Sequence, residues 1–474
     1  MQNYKKSMTM LLSAMVVSGF ALTANGANWR VQPSIKLEET YTDNVNLDAN
    51  SQQSDFVTQV TPGIIITGTG ARMKTSLTYA PIYLFYPGDS NDKHDFRQNL
   101  QASLASELIS ETFFVDASAN INQRFLDRRQ AISSVDSNRT NNRRTVQTYQ
   151  FSPYLVHAFG NWATAQLRYD LRHIRIASST LITSPDTSFG NSLSHQGSFS
   201  VKSGRRFNRL GWTLLAQYQS EQRAFQSNYK DTVLRADLSY QLTHMLALLG
   251  SAGYEKRDSL GSFANFNGFI WDAGFRLVPG PRTSISFRYG NQYNGNSFSG
   301  NAQYKITAKD SINLSYTDTI QTFQSFAFAS NNIVTLDPSQ GSNFISGDLT
   351  RRKNLSLSLS GTRGRATYSA SAFYSKYKSD NNALDERRYG GAISLARRLS
   401  RRLSINGGFS YNLSRFSSSN IDDKFWSASA NVDYNISKSL VGSLGYIHTD
   451  RSQARFGNLN GGSNYISLSI KAAI

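Results

Sequence analysis

The chain has 474 residues, with 50 Lys and Arg against 32 Asp and Glu, a formal charge of +18, and no cysteine. The absence of cysteine excludes disulfide staples, thiol catalysis and cysteine-held metals. A basic excess of this size suits nucleic acid, anionic lipid or an anionic solute, and the first residues of the chain choose among them.

Residues 1–26 read as a secretory signal peptide. Lys5 and Lys6 open it, Met8–Leu22 is apolar, and Ala24-Asn25-Gly26 offers small residues for cleavage. A membrane anchor is the alternative, but the apolar run is short for a span of roughly 20 residues and holds Ser13, Ser18 and Gly19. Loss of Lys5 and Lys6 lowers the charge from +18 to +16. Export leaves no nucleic acid to meet, so the partners expected are anionic headgroups or an anionic solute.

Residues 27–474 then repeat one pattern. In Trp162–His173, the apolar Ala163, Ala165, Leu167, Tyr169 and Leu171 alternate with Thr164, Gln166, Arg168, Asp170 and Arg172. Alternation of period two makes a strand with one apolar and one polar face. Early copies cover 31–41, 55–66, 75–85, 96–108 and 113–123. The middle gives 147–157, 163–173, 193–202, 210–221, 231–242, 246–256, 266–277, 283–293, 298–306 and 311–320. The last are 352–360, 366–376, 388–397, 403–413, 425–436, 440–449 and 465–474. Most have about 9–11 residues, enough for a tilted strand to cross a bilayer.

The connections alternate in kind. Phe159-Gly160-Asn161, Pro279-Gly280-Pro281 and Thr362-Arg363-Gly364 are tight turns, whereas 42–54, 124–146, 174–192, 321–350, 377–387, 414–424 and 450–463 are longer and polar. Short periplasmic turns opposite longer outer loops, with an even strand number, place both termini in the periplasm. The expected fold is all-β: a transmembrane antiparallel up-and-down β-barrel of about 22 strands, within a range of 18–22. A β-sandwich rarely runs to so many strands, and a propeller would show a longer repeat than this hairpin rhythm. The final strand, with Ile466, Leu468, Ile470 and Ala472 on one face, has the form read by barrel-insertion machinery, although it ends in Ile474 rather than an aromatic.

If the apolar face meets lipid, the polar face lines a wet lumen. Its basic members by alternation are Lys74, Arg97, Arg168, Arg172, Arg235, Arg276, Arg288, Lys305 and Arg352, with Lys202 and Lys471 in addition. Acids on that face include Glu107, Asp116, Asp170, Glu221, Asp237, Glu255, Asp272 and Asp433. Either the cations lower the barrier to anions, or they pair across strands and stiffen the wall. Arg168, Asp170 and Arg172 in particular form a candidate ladder. Loop 321–350 carries Phe323, Phe326, Phe328, Ile333, Val334 and Leu336, too apolar for a free tip; it either enters the lumen or packs on the rim. The Arg128, Arg129, Arg139, Arg143 and Arg144 loop is expected to face lipopolysaccharide phosphates. No metal or cofactor set stands out. His173 and His195 lie close enough on neighbouring strands to suggest a pair, but alternation turns both to lipid, so no enzyme is expected.

The segment from Trp29 to Val45, with Tyr41-Thr42-Asp43-Asn44 at its centre, then Ser54-Asp55 and Thr58-Gln59-Val60-Thr61-Pro62-Gly63, resembles the start of outer-membrane β-barrels associated with the PEP-CTERM/exosortase system. Leu100–Ile121 and Ser152-Pro153-Tyr154 agree with the same family. The resemblance implies a Gram-negative outer-membrane barrel linked to exopolysaccharide export, as channel or accessory. The alternative is a non-conducting assembly or adhesion protein that binds surface polymer through its loops. The family's activity is uncharacterised, so the resemblance assigns no site residues.

Overall fold

The computed structural model describes residues 26–88, 93–125, 130–177, 190–224, 228–258, 265–293, 295–322, 349–379, 385–416, 421–453 and 460–474. Every regular element among them is a strand. The first eight are β1 (Asn28–Thr42), β2 (Asp55–Thr69), β3 (Met73–Tyr79), β4 (Ile82–Phe85), β5 (His94–Arg97), β6 (Leu100–Ile109), β7 (Phe113–Phe125) and β8 (Arg143–Phe159). Then follow β9 (Ala163–Ile176), β10 (Ser192–Ser203), β11 (Leu210–Arg223), β12 (Tyr229–Gln241), β13 (Leu246–Asp258), β14 (Phe266–Gly280), β15 (Thr283–Asn291) and β16 (Asn296–Lys305). The chain closes with β17 (Ser311–Gln321), β18 (Thr350–Arg363), β19 (Ala366–Ser379), β20 (Glu386–Arg398), β21 (Leu403–Phe416), β22 (Ile421–Asn435), β23 (Leu440–Gln453) and β24 (Gly461–Ala473).

From β6 onward each strand pairs antiparallel with the next, and β24 returns to β1 from Ser34↔Ala473 to Thr42↔Tyr465. The sheet is therefore closed and has no free edge. β2 pairs with both β3 and β4, β3 with β6, and β4 with β5. β3 and β4 are thus halves of one wall strand, and so are β5 and β6, which makes the twenty-four segments a 22-stranded barrel. The first break falls at Ala80-Pro81. Pro81 has no N–H to give to a ladder. The second falls opposite, at Gln98-Asn99, where the Ala80 amide donates to the Asn99 carbonyl at 2.9 Å.

Strands exceed the expected span: β8 has 17 residues, and β1, β2, β14 and β22 have 15 each. At about 3.3 Å per residue, such strands rise beyond a bilayer on the loop side. The tight turns at 160–162, 281–282 and 364–365 lie at the end that carries Asn28 and Ala473, whereas one four-residue connection, 292–295 between β15 and β16, closes the opposite end. Gly160 and Gly364 sit in two of these turns at φ +55° and +59°, a region that carries a steric cost for side chains with a Cβ.

Residues directly opposite in an antiparallel pair share a face, so the register sorts the wall. Leu167 stands opposite Leu155 and Phe199, and Leu234 opposite Ala216 and Tyr254. These face outward, where Ile393 and Leu468 are each 61% exposed. A water-soluble protein would bury side chains of that size; a continuous outward apolar wall needs lipid. Large buried apolar groups are instead few, and the clusters Val45/Val57/Leu84/Tyr86 and Phe125/Ile132/Phe425 sit at the mouth on the loop side.

Candidate functional site: the lumen and its mouth

The inward face carries all nine basic residues expected there, but in three different settings. Midway along the wall the arginines are paired. Arg168 Nη2 contacts Asp116 at 3.0 Å, and its Nε contacts Asp170 at 3.1 Å. Asp170 also accepts from Ser152 at 2.5 Å and Gln150 at 3.2 Å, and Arg172 approaches it at 3.8 Å. A second knot joins β12 to β15: Asp272 takes Arg235 at 3.1 Å, Arg288 at 2.5 Å and Ser251 at 2.5 Å, while Asp237 takes Arg235 at 2.7 Å. Arg352 stands instead near the loop-end start of β18, where it donates to Asn354 at 3.3 Å and lies over the Tyr377 ring. Asp170 and Asp272 each sit between two guanidinium groups because side chains two apart on one strand share a face with those opposite. These pairs cross-link neighbouring strands and cancel most of the local charge.

Toward the end with the termini the setting changes. Lys74, Lys202, Arg276, Lys305 and Lys471 are inward by register, exposed, and make no ion pair among the described residues. Below them the turns carry Arg205, Arg209, Arg282, Lys309, Arg401 and Arg402, all exposed. The basic excess of the composition is thus concentrated at one end of the lumen. One acid there, Asp310, serves the turn itself. It accepts from Thr307 at 2.6 Å and Tyr368 at 2.7 Å, and these bonds hold its carboxyl below the ordinary value. Gly361 makes room, since a Cβ there would meet the Asp310 carboxylate and the Tyr368 ring.

The third setting corrects an expectation. Arg97 is inward but does not line open lumen; it is 5% exposed and lies beneath the segment 130–142, which folds into the barrel mouth. Arg97 donates to the Asp136 carbonyl at 2.5 Å and the Asn138 carbonyl at 3.4 Å, and pairs with Asp95 at 2.7 Å. Asn138, wholly buried, donates to the carbonyls of Asn44 at 3.0 Å and Val45 at 3.2 Å and accepts from Ser133 at 2.5 Å. The Arg139 amide donates to Val45 at 2.9 Å. Across the mouth Arg451, held by Asp423 at 2.8 Å, donates to the Gln130 carbonyl at 2.5 Å. The segment is therefore tied to the residues just after β1, to β5 and to β23, and caps part of the opening. Burial under this cap raises the Tyr86 phenol above its ordinary value, opposed by the charge of Arg97.

The expected exposed arginine loop is this same cap. Arg139 stacks over the Tyr86 ring at 4.1 Å and Arg143 is buried against Val135 and Asp136, so neither is spread on a solvated tip. Arg128 and Arg129 lie outside the described residues, as do residues 1–25 and the six apolar residues of loop 321–350. The two feet of that loop are described. Thr322 donates to Glu221 at 2.8 Å, and Leu349 packs with Tyr229 and Ile320. Both feet rest on inward residues of β11 and β12. His173 and His195 face outward as expected; Tyr149 stacks on the first, and Tyr169 hydrogen-bonds the second at 2.7 Å.

The cap was missed in the sequence, although a signal existed. Val57, Leu84 and Phe425 are apolar at inward positions of an otherwise polar wall. Such positions need an internal cover.

No family model and no curated protein matches the chain. Solved structures do. The FrpB iron transporter from Neisseria meningitidis aligns over 94% of this chain and 82% of its own, at 13% identity and a TM-score of 0.55. The ferric enterobactin receptor PfeA of Pseudomonas aeruginosa aligns over 94% and 80% at 10% identity, TM-score 0.53, and the siderophore receptor PirA of Acinetobacter baumannii over 94% and 80% at 8%, TM-score 0.51. At such identities the likeness is one of fold: this chain is a closed barrel of the outer-membrane type.

Proposed function

We propose that the protein is an outer-membrane conduit for hydrophilic solutes, selective for anions, whose outer mouth is narrowed by the cap. The carrying observation is the separation of charge along the lumen. The mid-wall arginines are neutralised by Asp116, Asp170, Asp237 and Asp272, whereas the five unpaired cations from Lys74 to Lys471 gather at the periplasmic end. Unpaired charge in a wet pore sets ion preference; paired charge stiffens the wall.

An acidic exopolysaccharide is the solute favoured by the resemblance of Trp29–Val45 and its neighbours to the PEP-CTERM-associated barrels. A metal chelate is the second reading, favoured by the likeness to iron and siderophore receptors. Residence among lipopolysaccharide, delivery by a cleaved leader and handling by the barrel-insertion machinery follow from the same reading.

Purified protein in planar bilayers should conduct, with a reversal potential favouring chloride. Neutralising Lys74, Lys202, Arg276, Lys305 and Lys471 to Gln should abolish most of that preference at low salt and little of it at high salt, because screening shortens with ionic strength. Block of the current by acidic polysaccharide or by a ferric chelate separates the two solutes. A wild-type barrel that never conducts, even with the cap released, would instead make this a binding or assembly protein.

A further inference from the structure

The barrel wall is split at the loop end, and the split is lined with guanidinium groups. β5 pairs only with β4, while the upper part of β7, from Asn122 to Phe125, pairs with β8. No ladder joins β5 to β7 among the described residues. The cap backs the gap from inside, and a cavity of about 710 Å³ remains, lined by Arg97, Arg139, Arg143 and Arg144 and by one carboxylate among the described residues, Asp95. Asp136 stands behind, 3.4 Å from Arg97 and 3.7 Å from Arg143.

Two of these arginines are not satisfied by the protein. Arg143 is 8% exposed, and its Nε and Nη1 have no hydrogen-bond acceptor; the Nε of Arg144 has none either. Arg143 Nη2 alone reaches a carbonyl, that of Val135 at 3.1 Å, and Arg144 Nη1 is taken by the carbonyls of Asn141 and Arg143. A buried guanidinium with open donors is costly unless an acceptor is supplied. Its planar fork suits two oxygens of one tetrahedral anion. Among the described residues the cavity is lined by four arginines, with Asp95 in the lining and Asp136 behind it, an excess of guanidinium over carboxylate that suits an anion such as a phosphate.

We propose that this cavity binds a phosphate group, with Arg143 and Arg144 as its direct ligands and Arg97 and Arg139 as flanking charge. The phosphate belongs either to a lipid of the outer leaflet or to a soluble anion. On the outward face beside the cavity stands Phe96, 57% exposed, an apolar lip against which an acyl chain would lie. The site does not depend on the conduit reading, since its lining includes none of the five open cations of the lumen.

The test measures protection of the full barrel against thermal unfolding, read as the loss of its heat-modifiable gel mobility. One arm adds inorganic phosphate to detergent-solubilised protein. The other reconstitutes it in phosphatidylcholine vesicles containing lipid A or its dephosphorylated form. The expected result is protection in one arm, with affinity weakened about tenfold or more in the Arg143→Gln/Arg144→Gln variant through the loss of charge-assisted bonds. Arg143→Lys should weaken it less. Protection by free phosphate assigns a soluble anion, and protection by lipid A alone assigns the lipid. If neither arm protects, or if the double variant, folded by the same mobility shift, is protected as well as wild type, the proposal fails.

Discussion

Replacing Asn138 with alanine should release the cap. The amide of Asn138 donates to two carbonyls and accepts from Ser133, and its side chain is wholly buried. Each such bond contributes about 1 kcal/mol net, so the three together hold the segment by about 3 kcal/mol. The Asn44 carbonyl is left without this donor, whereas Val45 keeps the Arg139 amide. A change of about 3 kcal/mol shifts a closed-to-open equilibrium by about a hundredfold. In single-channel recordings the variant should therefore spend far more time in a larger-conductance state. Ser133→Ala removes only one of the three bonds that the Asn138 side chain makes, the other two bonds of Ser133 Oγ lying within the segment at Val135, and should shift the balance less than Asn138→Ala does. A folded Asn138→Ala barrel whose conductance steps and open times match wild type would refute the view that this segment limits the mouth.

Asp170→Asn should leave Arg168 and Arg172 without their shared anion, raise anion preference in reversal-potential measurements, and destabilise the barrel; breaking a buried pair of this kind costs about 3–5 kcal/mol, less here because Arg168 is partly exposed. Leu468→Arg, on the outward face, should slow or prevent insertion into vesicles, at about 2–4 kcal/mol near the bilayer midplane, whereas Ser467→Arg on the inward face should insert normally. Because hydrogen bonds hold the Asp310 carboxyl below its ordinary value, its contribution to turn stability is present above the ordinary carboxylate range and lost as pH falls through the depressed value. Asp310→Asn should flatten that acid limb of a pH–stability curve measured by heat-modifiability, and an unchanged curve would remove the assignment.

The strand count, the side of the tight turns that the sequence shows and the alternation of faces along each strand were legible in the sequence. All three follow from one local rule: in a wall between lipid and water, side chains alternate and turns need particular backbone angles. The residues from Ala163 to Arg172 show it in a single strand. The rule weakens where the wall does: the third and fourth strands, broken at Pro81 and Asn99, were read as continuous because alternation persists across the break.

What tertiary structure decided lies in contacts between segments far apart in the chain. Asn138 meets Asn44, and Arg451 meets Gln130, across 94 and 321 residues. Arg97 and Lys74 look alike by alternation, yet one is buried under a cap and the other stands open in the lumen. Alternation fixes which face a side chain takes, because that depends on its own strand alone. Whether the charge on that face is paired, covered or free depends on which strands closure brings beside it and which loop folds over it.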